Sequence, residues 1–196
     1  MGRLNAELFL GLIHYPIKNK EGNIITTTVT NLDLHDIARA GKTYNINKYF
    51  VINPIKSQQA LVSKMKKYWT SEYGANYIPN RSEAFSVLEI VDTLEDSIEK
   101  IKELTGKEPL LVATDAKIFP NTVSYSKMRE IISVSDRPFY IIFGTGWGMT
   151  EEMVKGCDYI LEPIWGRGDF NHLSVRSAAS IIMDRLLSAQ WWKGSR

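Results

Sequence analysis

The chain has a single cysteine, Cys157, so it can form no internal disulfide and no zinc site built on paired thiolates. Its three histidines, His14, His35 and His172, are scattered and do not form a ligand set. No apolar run approaches the roughly 20 residues that would span a bilayer. The stretch Leu8–Ile13 is short, follows Glu7 and lacks a cleavage-site pattern. Neither sign of charge is in excess: Lys and Arg number 24 against 22 Asp and Glu, and a formal +2 is too mild to demand nucleic acid as a partner. Internal repeats, low-complexity tracts and linkers are missing too, so one domain over 1–196 is expected, unprocessed, with no membrane span and cytoplasmic.

The composition is that of an ordinary globular chain: of 196 residues, 44% are hydrophobic and 23% charged, enough for one good-sized core. Strands are expected at Glu7–Ile13, Ile24–Thr30, Tyr49–Asn53, Phe85–Val91, Leu110–Thr114 and Pro138–Phe143, rich in Leu, Ile, Val and Phe. Between them, apolar residues recur at helical spacing. Leu34, Ile37, Ala38 and Gly41 form one such stripe. Ser57 opens a helix with Ala60, Leu61, Met65 and Tyr68 inward and Lys64, Lys66 and Lys67 opposite. Asp92 caps a helix that Gly106 ends, Ser126–Val134 is another, and Ser174 opens a long one striped with Val175, Ala178, Ala179, Ile182 and Leu186. The alternation predicts an α/β fold with a mainly parallel sheet and helices on both faces.

Two glycine clusters stand out, Gly144-Thr145-Gly146-Trp147-Gly148 directly after an apolar strand, and Gly166-Arg167-Gly168 shortly after it. Glycines where a strand ends let a ligand approach the backbone, and ligands of such sheets bind beyond the carboxyl ends of strands. The first cluster has the wrong spacing for a dinucleotide fingerprint. No phosphate-binding loop of the G-x-x-x-x-G-K-[ST] type is present. Tight strand-to-helix turns without a ligand would use the same glycines.

From Phe139 to Leu186 the chain resembles the SPOUT superfamily of S-adenosylmethionine-dependent RNA methyltransferases. The similar residues are Ile142-Phe143-Gly144-Thr145-Gly146, Thr150-Glu151-Glu152, Cys157–Ile164, and His172-Leu173-Ser174-Val175-Arg176-Ser177-Ala178-Ala179. Leu34–Ile46 resembles the first motif of that superfamily, with Arg39 on its arginine, while Asp33 stands where many ribose-methylating members have asparagine. The resemblance implies a C-terminal trefoil knot, a homodimer whose active site draws on both subunits, an RNA substrate (tRNA or rRNA) and no metal. It implies S-adenosyl-L-methionine as cofactor, held by Gly144, Thr145, Gly146, Ile160, Leu161, Pro163, Ile164, Leu173, Ser174 and Ala178.

Methyl transfer from a sulfonium is an in-line displacement, so the protein must hold the acceptor and manage one proton. Arg39 is the candidate to orient a phosphate or stabilise a ribose oxygen as its charge develops, and Asp169 the candidate base. A surface ion pair and a turn, respectively, are the plain alternatives. His172 can accept a proton or sit at the helix start. Trp147 and Trp165 can shield a cofactor or pack in the core, and the lysine-rich helix can meet RNA or simply face water. The leading expectation is methylation of a ribose 2′-hydroxyl. A base nitrogen acceptor, a catalytically inactive cofactor-binding RNA module and a nucleotide-dependent oxidoreductase remain beside it.

Overall fold

The computed structural model of the chain describes residues 6–192. In chain order its elements are β1 (Leu8–Ile13), β2 (Ile17–Lys18), β3 (Ile24–Ile25), α1 (Asn31–Thr43), β4 (Lys48–Ile52), α2 (Lys56–Trp69), α3 (Glu72–Tyr77) and α4 (Pro79–Phe85). There follow β5 (Leu88–Val91), α5 (Leu94–Thr105), β6 (Leu110–Thr114), β7 (Thr122–Val123), α6 (Tyr125–Val134), β8 (Phe139–Gly144), α7 (Glu151–Lys155), β9 (Tyr159–Leu161) and α8 (Val175–Leu187).

Seven strands form one sheet in the order β5-β4-β1-β8-β6-β9-β7, every pair parallel, while β2 and β3 make a separate antiparallel hairpin. Parallel strands buried on both faces need apolar residues without alternation, and all six residues of β1 are buried. Leu8, Leu10, Leu12, Tyr49, Val51, Phe139, Ile141 and Phe143 face a core shared with α1, α4, α6 and α8. On the other face Phe9, Ile13, Phe50, Ile52, Tyr140 and Ile142 meet Leu94 and Ile101 of α5 and Val154 of α7. The expected α/β class, parallel sheet and two helical layers are therefore all present.

Hydroxyl side chains start most of the helices. Thr30, Ser124, Thr150 and Ser174 each accept the amide three residues on, a contact worth about 1 kcal/mol per cap. Helix α5 is bounded at both ends, by a Thr93/Asp96 capping box and by Gly106 in the left-handed conformation at φ 70°. Asp92, expected as that cap, instead binds Lys56 and Gln59.

Three expectations need correction. Of Ile24–Thr30 only two residues pair as a strand. Beyond them the Thr27 amide goes to the His14 carbonyl and the Val29 amide to the Gln58 side chain, so no ladder continues. Phe85 ends α4 and the following strand starts at Leu88, because an apolar run crosses the helix-strand boundary without a sequence break. On α2 the face is turned: Val62 is buried, Met65 and Trp69 are partly buried, and Ala60, Leu61 and Tyr68 are exposed.

Candidate functional site

Because β8, β6 and β9 are parallel neighbours, Gly144, Thr114 and Leu161 end at one edge of the sheet, with β8 and β9 two strand spacings, roughly 10 Å, apart. The loop after β6 joins the two glycine turns. A side-chain carbon on Gly148 would lie 3.9 Å from Asp115 Oδ2, and Asn171 Nδ2 donates to the Ala116 carbonyl at 3.0 Å. The loop after β6 thus lies near the first turn and near the segment just beyond the second.

The first turn is tight. A Cβ on Gly144 would come within 2.8 Å of the Met149 amide nitrogen, and Gly146 takes φ 56°, a conformation that costs an L-residue about 1–2 kcal/mol. It is also covered from one side. The Lys18 amide donates to the Gly148 carbonyl at 3.0 Å, and Ile17 bridges to Met149, so the β2–β3 hairpin lies against the turn.

A directional hydrogen-bond relay anchors Thr145, which is 8% exposed. Its hydroxyl donates to the Ile13 carbonyl at 2.9 Å and so must accept from Thr27 Oγ1, which in turn accepts from His14 Nδ1 at 2.9 Å. His14 is therefore the Nδ1-protonated neutral tautomer, and its buried Nε2 has no partner. Burial lowers the His14 pKa from 6.5 to about 4, partly opposed by the Asp33 carboxylate. Asn53 Nδ2 ties the same strand end by donating to the Thr27 carbonyl at 3.2 Å. Sequence reasoning missed His14, Thr27 and Asn53; only strand-end position could have flagged them.

The relay has a pH signature. With a folded pKa below the unfolded one, the native state binds fewer protons than the unfolded chain between pH 6.5 and about 4. The neutral ring's contribution is thus complete above pH 6.5 and is lost as pH falls toward 4, an effect on the order of 3 kcal/mol. His14→Asn, which keeps a donor toward Thr27, is expected to flatten the wild-type fall in stability over that window. Urea unfolding at a series of pH values reads it; an unchanged slope would remove His14 as the cause.

Helices α1 and α8 lie side by side and run the same way. Arg176 reaches Asp33 at 3.4 Å and Asp36 at 3.6 Å near their starts, and Tyr44 Oη donates to Asp184 at 2.9 Å near their ends. Thr30 Oγ1 donates to the other oxygen of Asp33 at 2.6 Å. Between the helices lies a shallow depression of about 540 Å³ lined by Arg39, Thr43, Arg176, Ser177 and Ser180, among others. Arg39 is exposed there and has no ion-pair partner among the described residues.

The remaining predicted residues divide into floor and rim. Ile160 and Leu161 are 0% and 1% exposed within β9, each packed into one of the two cores, so they carry the second turn from beneath. Pro163 is buried, Ile164 packs against the core, and Ala178 is half-buried on α8. Leu173 is 45% exposed and Ser174 caps α8. Asp169 is exposed in the loop between them, with no polar partner among the described residues. His172 is exposed and packs edge-on against Phe170. Trp147, Trp165 and Phe170 are 66%, 55% and 77% exposed, so core packing does not explain the two tryptophans. An uncovered apolar rim around a glycine-lined edge suits a bound small molecule.

Among solved structures with this fold is the SpoU methyltransferase AviRb from Streptomyces viridochromogenes in complex with AdoMet, with a TM-score of 0.57 at 15% identity over 100% of this chain and 61% of that one. The fold is that of the SPOUT methyltransferases. An uncharacterized protein of Aquifex aeolicus is 47% identical over 94% of this chain and 90% of its own length. A tRNA (guanine-N(1)-)-methyltransferase of Nitratidesulfovibrio vulgaris is 40% identical over 94% of this chain, which spans only 43% of that relative. Residues 7–188 match the family described as SAM-dependent RNA methyltransferase, and the chain belongs to it.

S-adenosylmethionine is the cofactor of that family, and the edge fits it. Gly144 leaves no room for a Cβ, Gly146 is backed by Thr27 and Ile17, a Cβ on Gly148 would meet only Asp115 Oδ2 at 3.9 Å, and the exposed rim offers apolar cover for an adenine. The lone thiol takes no part: burial pushes Cys157 up to about 12, which keeps it protonated. Among the described residues no helix is long and apolar enough to cross a membrane.

Proposed function

We propose that this RNA methyltransferase acts on a ribose 2′-hydroxyl of tRNA or rRNA. The observation that carries the reading is Arg39, an exposed guanidinium without an ion-pair partner among the described residues, which lines the α1–α8 depression beside Arg176, Ser177 and Ser180. The bound cofactor supplies an electrophilic methyl group on a sulfonium. Arg39 holds the acceptor nucleotide by its phosphate and stabilises charge developing on the ribose oxygen, because a guanidinium remains charged at any working pH. Asp169, free in the second glycine loop, takes the hydroxyl proton as the oxygen bonds to the methyl carbon and the carbon–sulfur bond breaks. The glycine backbone and the exposed apolar rim of Trp147, Trp165 and Leu173 hold the cofactor, and no metal is needed.

Three further points belong to the same proposal. Residues 1–196 act as one cytoplasmic domain. A second subunit completes the site at the open depression beside Arg39, making a homodimer. The C-terminal segment is knotted, which is supported by the return from β9 that lays α8 beside α1, with Asp184 against Tyr44. The relative named for guanine N1 methylation favours a second reading, a base nitrogen acceptor.

The test is transfer of labelled methyl to bulk tRNA and rRNA, followed by digestion to nucleosides and mass spectrometry. A 2′-O-methylated nucleoside is expected. A base-methylated one would replace the first reading with the second, and cofactor binding without any transfer would leave an RNA-binding module.

A further inference from the structure

The outer side of α2 and α3 carries aromatic rings that the core does not use. Tyr68, Tyr73 and Tyr77 are 48%, 63% and 67% exposed, and Leu61, two turns before Tyr68, is 43% exposed. The rings form a continuous row: Tyr68 to Tyr73 is 6.1 Å between centroids, and Tyr73 to Tyr77 is 5.9 Å with planes only 12° apart. Trp69 stiffens the base of the row. It packs against Phe85 at 6.3 Å, meets Tyr68 edge-on at 5.0 Å and lies under the Arg81 guanidinium at 4.7 Å.

The charge around the row is predominantly basic. Between Lys56 and Ser82 the sequence holds five basic residues, Lys56, Lys64, Lys66, Lys67 and Arg81, against the single acid Glu72. Lys56 is taken by Asp92, whereas Lys64 and Lys67 are exposed and have no ion-pair partner among the described residues. Rigid stacked rings flanked by unpaired lysines are complementary to unpaired bases on a phosphate backbone, since every base has a face to stack and every linkage a charge to neutralise. A protein partner of ordinary mixed charge would leave those lysines unanswered.

We propose that Tyr68, Tyr73 and Tyr77, with Lys64 and Lys67, form a docking surface for an unpaired segment of the RNA substrate, remote from the methylated nucleotide. Helix α2 follows β4, two strands from β8, and its 14 residues, about 21 Å, carry Tyr68 to the end away from the sheet's carboxyl ends. This docking surface rests on RNA being the substrate, as proposed above.

The experiment measures fluorescence anisotropy with labelled unfractionated tRNA and with a labelled uridine 20-mer, alongside calorimetry with S-adenosylmethionine. Tyr73→Ala/Tyr77→Ala is expected to weaken binding of both RNAs by about tenfold or more, with cofactor affinity and melting temperature retained. Tyr73→Phe/Tyr77→Phe is expected to bind as wild type, because the ring faces and not the hydroxyls act. Lys64→Gln/Lys67→Gln is expected to reduce the slope of log K against log salt by about 1.5. Wild-type binding with no loss in the alanine variant would overturn the docking surface and leave the RNA reading standing. No RNA binding by the wild type would overturn both. If the alanine variant instead loses self-association in sedimentation with RNA affinity unchanged, the row is a protein contact and the proposal fails.

Discussion

Arg39→Ala is expected to lower the turnover of methyl transfer by about 10²–10³-fold, about 3–4 kcal/mol of transition-state stabilisation, while S-adenosylmethionine affinity stays within about threefold of wild type. The contrast with Arg176 is the physical reason. Both guanidinia face the depression between α1 and α8, but Arg176 is held by Asp33 and Asp36, whereas Arg39 has no carboxylate and is free to take a phosphate. Removing a structural pair would cost stability; on the proposed role, removing Arg39 takes away only a charge meant for the reacting nucleotide. Single-turnover transfer of labelled methyl at saturating RNA separates the two, with a melting curve beside it. Arg39→Lys should recover little, since a point charge does not reproduce the planar fork. Unchanged turnover in the alanine variant would strip Arg39 of its role.

Gly144→Val is expected to reduce S-adenosylmethionine affinity at least a hundredfold, to the point where calorimetry detects no binding. Even a Cβ at this position would sit 2.8 Å from the Met149 nitrogen and 3.0 Å from its Cγ, so the turn must open. Opening moves Gly148, whose carbonyl accepts from Lys18, and with it the backbone proposed to meet the cofactor. Gly144 lies at the end of β8 and the displaced Met149 at the margin of one buried cluster, so the far-ultraviolet circular dichroism is expected to survive. Full cofactor affinity in a folded Gly144→Val protein would put the cofactor elsewhere.

The architecture was legible because it rests on apolar strands and helical stripes, which need only neighbouring residues to be recognised. Leu110–Thr114 matches to the residue, and Gly106 ends α5 as its conformational freedom suggests. The tight turn after β8 was legible for a related reason: glycine after a strand is a local mark. What escaped depends on partners distant in sequence. His14 is a scattered histidine until Thr27 and Thr145 close the relay, and Asp33 is one more helix acid until Arg176 reaches it across 143 residues. The turned face of α2 was hidden because Leu61 and Tyr68 look like core residues on any hydrophobic scale; only their exposure distinguishes them.

Strand β1 sits between β4 and β8, and α1 is clasped by α8, so segments far apart in sequence are immediate neighbours in the fold. A nascent chain on the ribosome would have its first helix long before that helix has anything to hold. Such high contact order makes for slow, late consolidation. Any change that loosens the Arg176–Asp33 or Tyr44–Asp184 contact is therefore felt across the whole depression between the two helices.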